Sequence, residues 1–239
     1  MKTNLQDFLD VLESDDTKPL SVAVSSKKSI TIKPLSFKQQ KALVTSGLDG
    51  ISGVMTFIKT LNDIILYNSG ETELKIYDRV PIILALRKEL SAKKLTQEEV
   101  EVDVEDLIKQ FKKIDIVDGG TVEGTGYTVE LRIPTLQQEN KSLATCIEDM
   151  KKIDIDNMGK NVAMILSYEI PKFIDNIKFG DNVIKFDDIS TSERVKIMDN
   201  LPAKVTNLIT DYILKVREYD EQLLTFNGVT IDVDSNFFE

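Results

Sequence analysis

The stretch DIDNMGK places Asp154, Asp156 and Gly159 at the first, third and sixth positions of a calcium loop, where hard oxygen ligands and a sharp turn are needed. The rest of that loop is wrong: Met158 stands at the fifth position, and Ile165 at the twelfth, where a bidentate Glu belongs. DVDSNFFE near the C-terminus repeats the Asp spacing but puts Phe237 at the turn, so neither stretch is a calcium site. The glycine-rich DGGTVEGTGY lacks a following Lys-Ser/Thr and a strand-to-helix unit, and reads as a loop entering a strand, not a phosphate cradle. Adjacent acids such as Asp187 and Asp188, or those between Glu98 and Asp106, could do general acid–base work if burial split their pKa values. With 40 acidic residues in the chain such neighbours arise by chance, and they read as solvated faces. Tyr77, Asp78 and Arg79 could anchor a ligand, but a helix cap beside a partly buried tyrosine accounts for them more simply.

Composition removes more chemistry than it suggests. The chain has no histidine, so it cannot by itself supply a Ser-His-Asp or Cys-His unit, an HExxH zinc site or an imidazole proton shuttle. Its one cysteine, Cys146, lies on the apolar side of a helical pattern and reads as a small core residue in a reducing compartment. A formal charge of −10 repels phosphate backbones and anionic membranes, and no local basic patch reverses it. Neither a nucleic-acid nor a membrane partner is expected. With 41% hydrophobic residues over 239 positions, the chain can bury a real core. The N-terminus has acids inside its short apolar pattern and resembles neither a signal peptide nor a membrane anchor, so a soluble intracellular protein is expected.

The periodicities predict an α+β fold dominated by helices, with short antiparallel β-hairpins near the N-terminus and at the C-terminus. LSVAVSSKKSITIKP alternates on either side of Ser-Ser-Lys-Lys and predicts the first hairpin. Pro34 ends its second strand, and Ser36 stands at an N-cap position before a helix to about Ser46. The hinge residues Pro34, Leu35 and Phe37 are expected to cover the core, so that Phe37→Ala would cost about 3–5 kcal/mol. Helices follow over about 51–67, with Val54, Phe57, Ile58, Leu61, Ile64 and Ile65 as its stripe, and from near Tyr77, with Asp78 as cap and Pro81 in the first turn. A further helix is expected over 104–114. GYTVELRIPT repeats the strand-then-proline device and feeds a helix over 135–152, and another helix is expected over 161–170. A hairpin turns at Gly180-Asp181, and the capping box STSE at Ser190–Glu193 opens a helix. Pro202 starts the last long helix, and Asn227-Gly228 between alternating runs predicts the C-terminal hairpin. These elements group into an N-terminal amphipathic arm (1–18), a hairpin plus helical unit (19–118), and a helical unit with a terminal hairpin (119–239).

The ordered series IKPLSFKQQKALVTS, LNDIILYNS and YDRVPIILALRKEL, followed by VELRIPT, a helix ending CIEDM, MDNLPAKVTNLITDYI and the closing NFFE, resembles the baseplate hub assembly family of T-even-type contractile-tailed bacteriophages. The resemblance implies a non-enzymatic protein without cofactors or metals, acting in assembly or structure of the central baseplate hub by binding hub and tape-measure proteins. It would work in the host cytoplasm during assembly and in the tail baseplate, with a homo-oligomer in a symmetric assembly as a further expectation. The alternatives are a transient tail-assembly chaperone absent from the mature virion, and a metal-dependent enzyme working with carboxylates alone. For partner contacts the two ends are the candidates. Leu5, Phe8, Leu9 and Leu12 form a helical stripe too short to be stable alone, which needs a surface on another chain or on its own domain. Phe237 and Phe238 are expected to be an exposed aromatic anchor.

Overall fold

A computed structural model of the protein describes residues 18–27, 29–47, 50–90, 94–97, 100–110, 118–151 and 165–238. The first hairpin forms as its alternation requires. β1 (Leu20–Val22) pairs antiparallel with β2 (Ile30–Ile32), which turns Ile30 and Ile32 inward and leaves Thr31 exposed. After Pro34 the chain enters α1 (Phe37–Ser46), whose N-cap Ser36 accepts from the Gln39 backbone while the Gln39 side chain accepts from the Ser36 N–H, a reciprocal box.

The expected burial of the hinge is corrected. Phe37 is 81% exposed, and Pro34 and Leu35 are only partly covered. α1 seats Leu43 on the core, and at 3.6 residues per turn Phe37 stands roughly 120° around the axis from it, at the free end of the helix. The Asn68 side chain fastens the hinge instead, donating to the carbonyls of Lys33 and Pro34, while the Asn68 carbonyl accepts from the Lys33 N–H at 3.1 Å.

α2 (Gly50–Ser69) packs Phe57, Leu61, Ile64 and Ile65 inward, whereas Val54 of the expected stripe is exposed. A 3₁₀ turn (Ile76–Asp78) then leads into α3 (Arg79–Glu89). Val80, Pro81, Ile82, Ile83, Leu84 and Leu86 are all buried, so α3 is apolar nearly all round, as a helix enclosed by other elements must be. β3 (Lys94–Gln97) and β4 (Val100–Asp103) form a second hairpin ahead of α4 (Val104–Gln110).

The principal sheet is antiparallel, in the order β5 (Gly120–Gly124), β6 (Tyr127–Leu131), β7 (Ile174–Phe179) and β8 (Asn182–Lys185). Two local hairpins supply its outer pairs; the central pair β6–β7, with Val129 opposite Ile177, joins segments far apart in sequence. Between them lies α5 (Leu136–Met150), capped by Thr135 and Gln138 in the same reciprocal way as α1. The Leu136 N–H donates to the Leu74 carbonyl and the Ile76 N–H to that of Pro134, stitching the entrances of α3 and α5 together. α6 (Thr191–Asn200) begins at the Ser190–Glu193 box and α7 (Ala203–Leu224) after Pro202. β9 (Thr225–Phe226) and β10 (Val229–Thr230) turn at Asn227 and Gly228, both at positive φ, the geometry this hairpin turn demands.

One contiguous cluster of buried apolar side chains runs from Val22 to Phe238, so residues before and after position 118 share a core. The expected exposed aromatic end is corrected here. Phe237 and Phe238 are 3% and 0% exposed, set edge to face with ring centroids 5.0 Å apart. The terminal hairpin doubles the chain back along α7, with the Ile231 N–H donating to the Leu224 carbonyl, and the final turn reaches α1, where the Gln40 amide donates to the Phe238 carbonyl. Leu5, Phe8, Leu9 and Leu12 lie outside the described residues.

Asp78 does not cap α3 through its side chain. Its fully buried carboxylate accepts from the backbone N–H groups of Ser25 (2.9 Å), Ser26 (3.0 Å) and Lys75 (2.8 Å), and from the Ser26 hydroxyl. One side chain thus fixes the loop of the first hairpin on the entrance of the central helix. Asp78→Ala would strand several donors, and a loss of at least about 3 kcal/mol is expected in chemical denaturation. Phe37→Ala, at a solvent-facing position, should change stability by less than about 0.5 kcal/mol in the same measurement.

Candidate functional site

A carboxylate on the buried face of a helix needs donors from every side, and Glu139 has them. α5 buries Leu136, Glu139, Asn140, Leu143 and Cys146 as one stripe. The Glu139 carboxylate accepts from Arg79 Nη1 at 2.7 Å and Asn62 Nδ2 at 2.8 Å on one oxygen, and from Lys172 Nζ at 2.9 Å on the other. Lys172, itself 5% exposed, also pairs with Glu169 at 2.8 Å, and Glu169 in turn with Arg217 at 2.8 Å. Asn62 receives Arg79 Nη1 on its own oxygen and donates to Asn140, which donates to Asp63. The network ties α2, α3, α5, the 3₁₀ turn Pro171–Phe173 and α7 to one another.

Burial alone would raise the Glu139 pKa; the charges of Arg79 and Lys172, with the hydrogen bonds from Lys172 and Asn62, outweigh it and hold the group well below the ordinary carboxylate range. Asp220, on α7 beside the network, has the opposite balance. Burial pushes its carboxyl up to about 7, with Arg79 opposing and Glu139 and Asp78 adding to the rise, and its buried Oδ1 has no hydrogen-bond partner among the described residues. Burial likewise lifts the Cys146 thiol to about 11, which keeps it protonated and unreactive at neutral pH.

A cavity of about 520 Å³ adjoins the network, walled by Val54, Met55, Ile58, Leu143 and Cys146 on one side and by Arg79, Glu169, Arg217 and Asp220 on the other. Of the acids lining it, Glu139 and Glu169 are engaged in ion pairs, and Asp220 faces it with its carboxyl pushed toward the neutral form. Asp187, one of the adjacent acids singled out by sequence, is gripped on both oxygens by Arg132 at 2.6 Å and by Gln138 at 2.9 Å, and Arg132 holds its pKa down. It joins the sheet to the start of α5. Asp154, Asp156 and Gly159 lie outside the described residues, and among the described residues no group of three or more acids or cysteines could hold a metal ion. No helix among them is long and apolar enough to cross a membrane.

Sequence reasoning missed the network because directly bonded partners in it are up to 78 residues apart. The available signal was a charged residue within an apolar stripe, Glu139 among Leu136, Leu143 and Cys146, and Lys172 within the apolar run IPKFI. The surface was misjudged in a related way. Among the described residues the most exposed large apolar side chains are Phe37 and Tyr67, each 81% exposed, at either side of the β2–α1 hinge: Tyr67 precedes the Asn68 that fastens the hinge, and Phe37 opens α1. Gln39 Nε2 donates to Asn68 Oδ1 at 2.7 Å, which binds the two supports together. At the far end of the main sheet, β8 leaves one edge unpaired among the described residues, with Phe179 and Val183 exposed.

The family model described as "T4 bacteriophage base plate protein" matches residues 16–221. No curated protein and no solved structure matches the chain.

Glu139→Gln removes the ion-pair partner of buried Arg79 and one of the two of Lys172, and should cost about 3–5 kcal/mol in urea denaturation at pH 7. The two acids give stability slopes of opposite sign. Glu139, whose folded pKa is depressed, contributes stability that is present above its ordinary value near 4.5 and is lost as pH falls through its folded value. Asp220, raised from 3.8 to about 7, contributes stability that is full below 3.8 and is lost as pH rises toward 7. Asp220→Asn should therefore gain in Tm relative to the wild type between pH 5 and pH 8, and a constant difference across that range would refute the assignment.

Proposed function

Because the chain belongs to the T4 bacteriophage base plate protein family, we propose that it is a non-enzymatic tail component acting in assembly or structure of the central baseplate hub, by binding hub and tape-measure proteins. The observation that carries the binding mode is the pair of exposed aromatics at the hinge. Phe37 and Tyr67 are held on a rigid base by Ser36, Gln39 and Asn68, and rigid aromatic side chains on a protein surface are typical interface anchors. The engaged acids of the Glu139 network support the non-enzymatic reading, since each spends its charge on holding helices together.

The double variant Phe37→Ala/Tyr67→Ala should fold with an unchanged Tm and lose most of its capture of hub and tape-measure proteins in pull-downs from infected cells, by at least about tenfold if each ring is worth about 1 kcal/mol or more. Undiminished capture by this variant would remove the hinge from the interface. Recovery of metabolic enzymes alone by the wild type would overturn the hub assignment itself.

A further inference from the structure

We infer that the N-terminal segment of the chain docks on its own domain, with Leu5, Phe8, Leu9 and Leu12 covering an apolar groove between β1 and the helices α3 and α4. The groove, about 220 Å³, is lined by Leu20, Pro81, Leu84, Ala85, Leu107 and Ile108. Its first wall is β1, which pairs with β2 on one side and has no strand on the other among the described residues. A second hollow, lined by Pro19, Leu20, Pro34, Leu35 and Leu90, opens on the other side of Leu20. The described chain therefore starts, at residue 18, beside both hollows.

The segment before it has the matching chemistry. At 3.6 residues per turn Leu5, Phe8, Leu9 and Leu12 fall within one arc of roughly 100°, while Asp7 and Asp10 fall on the opposite side. Such a short helix is marginal in water and gains its stability from the face it buries. Glu13 to Thr17 can span up to roughly 17 Å when extended, enough to bring Leu12 over a groove that begins at Leu20. A segment tethered this closely meets the groove at an effective concentration on the order of millimolar, so its own domain is favoured over a free partner. This inference is independent of the hinge interface, because the groove lies on β1, α3 and α4 and includes neither Phe37 nor Tyr67.

The experiment is paramagnetic relaxation in the full-length protein. A nitroxide attached at Asp10→Cys, on the polar face of the segment, is expected to cause loss of the methyl signals of Leu84, Ala85, Leu107 and Ile108 while leaving that of Val183 intact. Phe8→Asp/Leu12→Asp in the same labelled chain should restore them. Groove methyl signals that survive the label, or that are lost no more than those of Val183, would overturn the inference. So would loss of groove signals in an isotope-labelled chain when the nitroxide is carried only by a second, unlabelled copy, which would place the segment on a neighbouring molecule.

Discussion

A carboxylate taken out of water must be given back its hydrogen bonds and its counter-charge, and this requirement at Glu139 organises the molecule. Three donors reach it from α2, from the start of α3 and from the turn before β7, and the turn's Lys172 passes the constraint on through Glu169 to α7. Neither α3, α5 nor the turn before β7 can slide without separating a buried ion pair. The geometry is demanding rather than strongly stabilising, since the cost of dehydrating Arg79, Glu139, Lys172 and Glu169 offsets much of their attraction. What it provides is a single arrangement of helices around α3, whose apolar circumference would by itself accept several.

Asp78 extends the same logic to the first hairpin. The loop between β1 and β2 has backbone donors that its short strands do not use, and the Asp78 carboxylate collects them. The hairpin is thereby fixed to the entrance of α3, and through β2 it sets the direction in which α1 departs. With Ser36, Gln39 and Asn68 holding that corner, Phe37 and Tyr67 are presented on a rigid support rather than on a mobile loop. A baseplate protein needs such surfaces, because an assembly of many subunits gains affinity from partners that lose little conformational freedom on docking.

Much of the local structure was legible in the sequence because its causes are local. Ser36 and Ser190 start helices through their own side chains, Pro34 and Pro134 stand just beyond strands that end at Ile32 and Leu131, and Asn227-Gly228 adopts the backbone its hairpin needs. The α+β class followed from these signals together. What could not be read is everything decided by position in space. Alternation alone does not say that β6 pairs with β7 across α5, nor that Asp78 serves a loop more than fifty residues earlier. Phe37 and Phe238 show the same limit in opposite directions. An apolar residue beside a proline hinge was expected inside and stands outside, and a terminal aromatic was expected outside and is buried under α1, because only the assembled core determines which faces are left over.

The central claim is that a charge-locked scaffold presents the hinge as its binding surface without rearranging. Hydrogen–deuterium exchange on the protein alone and within the tail assembly isolated from infected cells tests this most directly. The account predicts new protection confined to the residues around the hinge, 33–40 and 65–70, with exchange in α3, α5 and α7 unchanged. New protection concentrated elsewhere, or faster exchange in α5 and α7 on assembly, would contradict it.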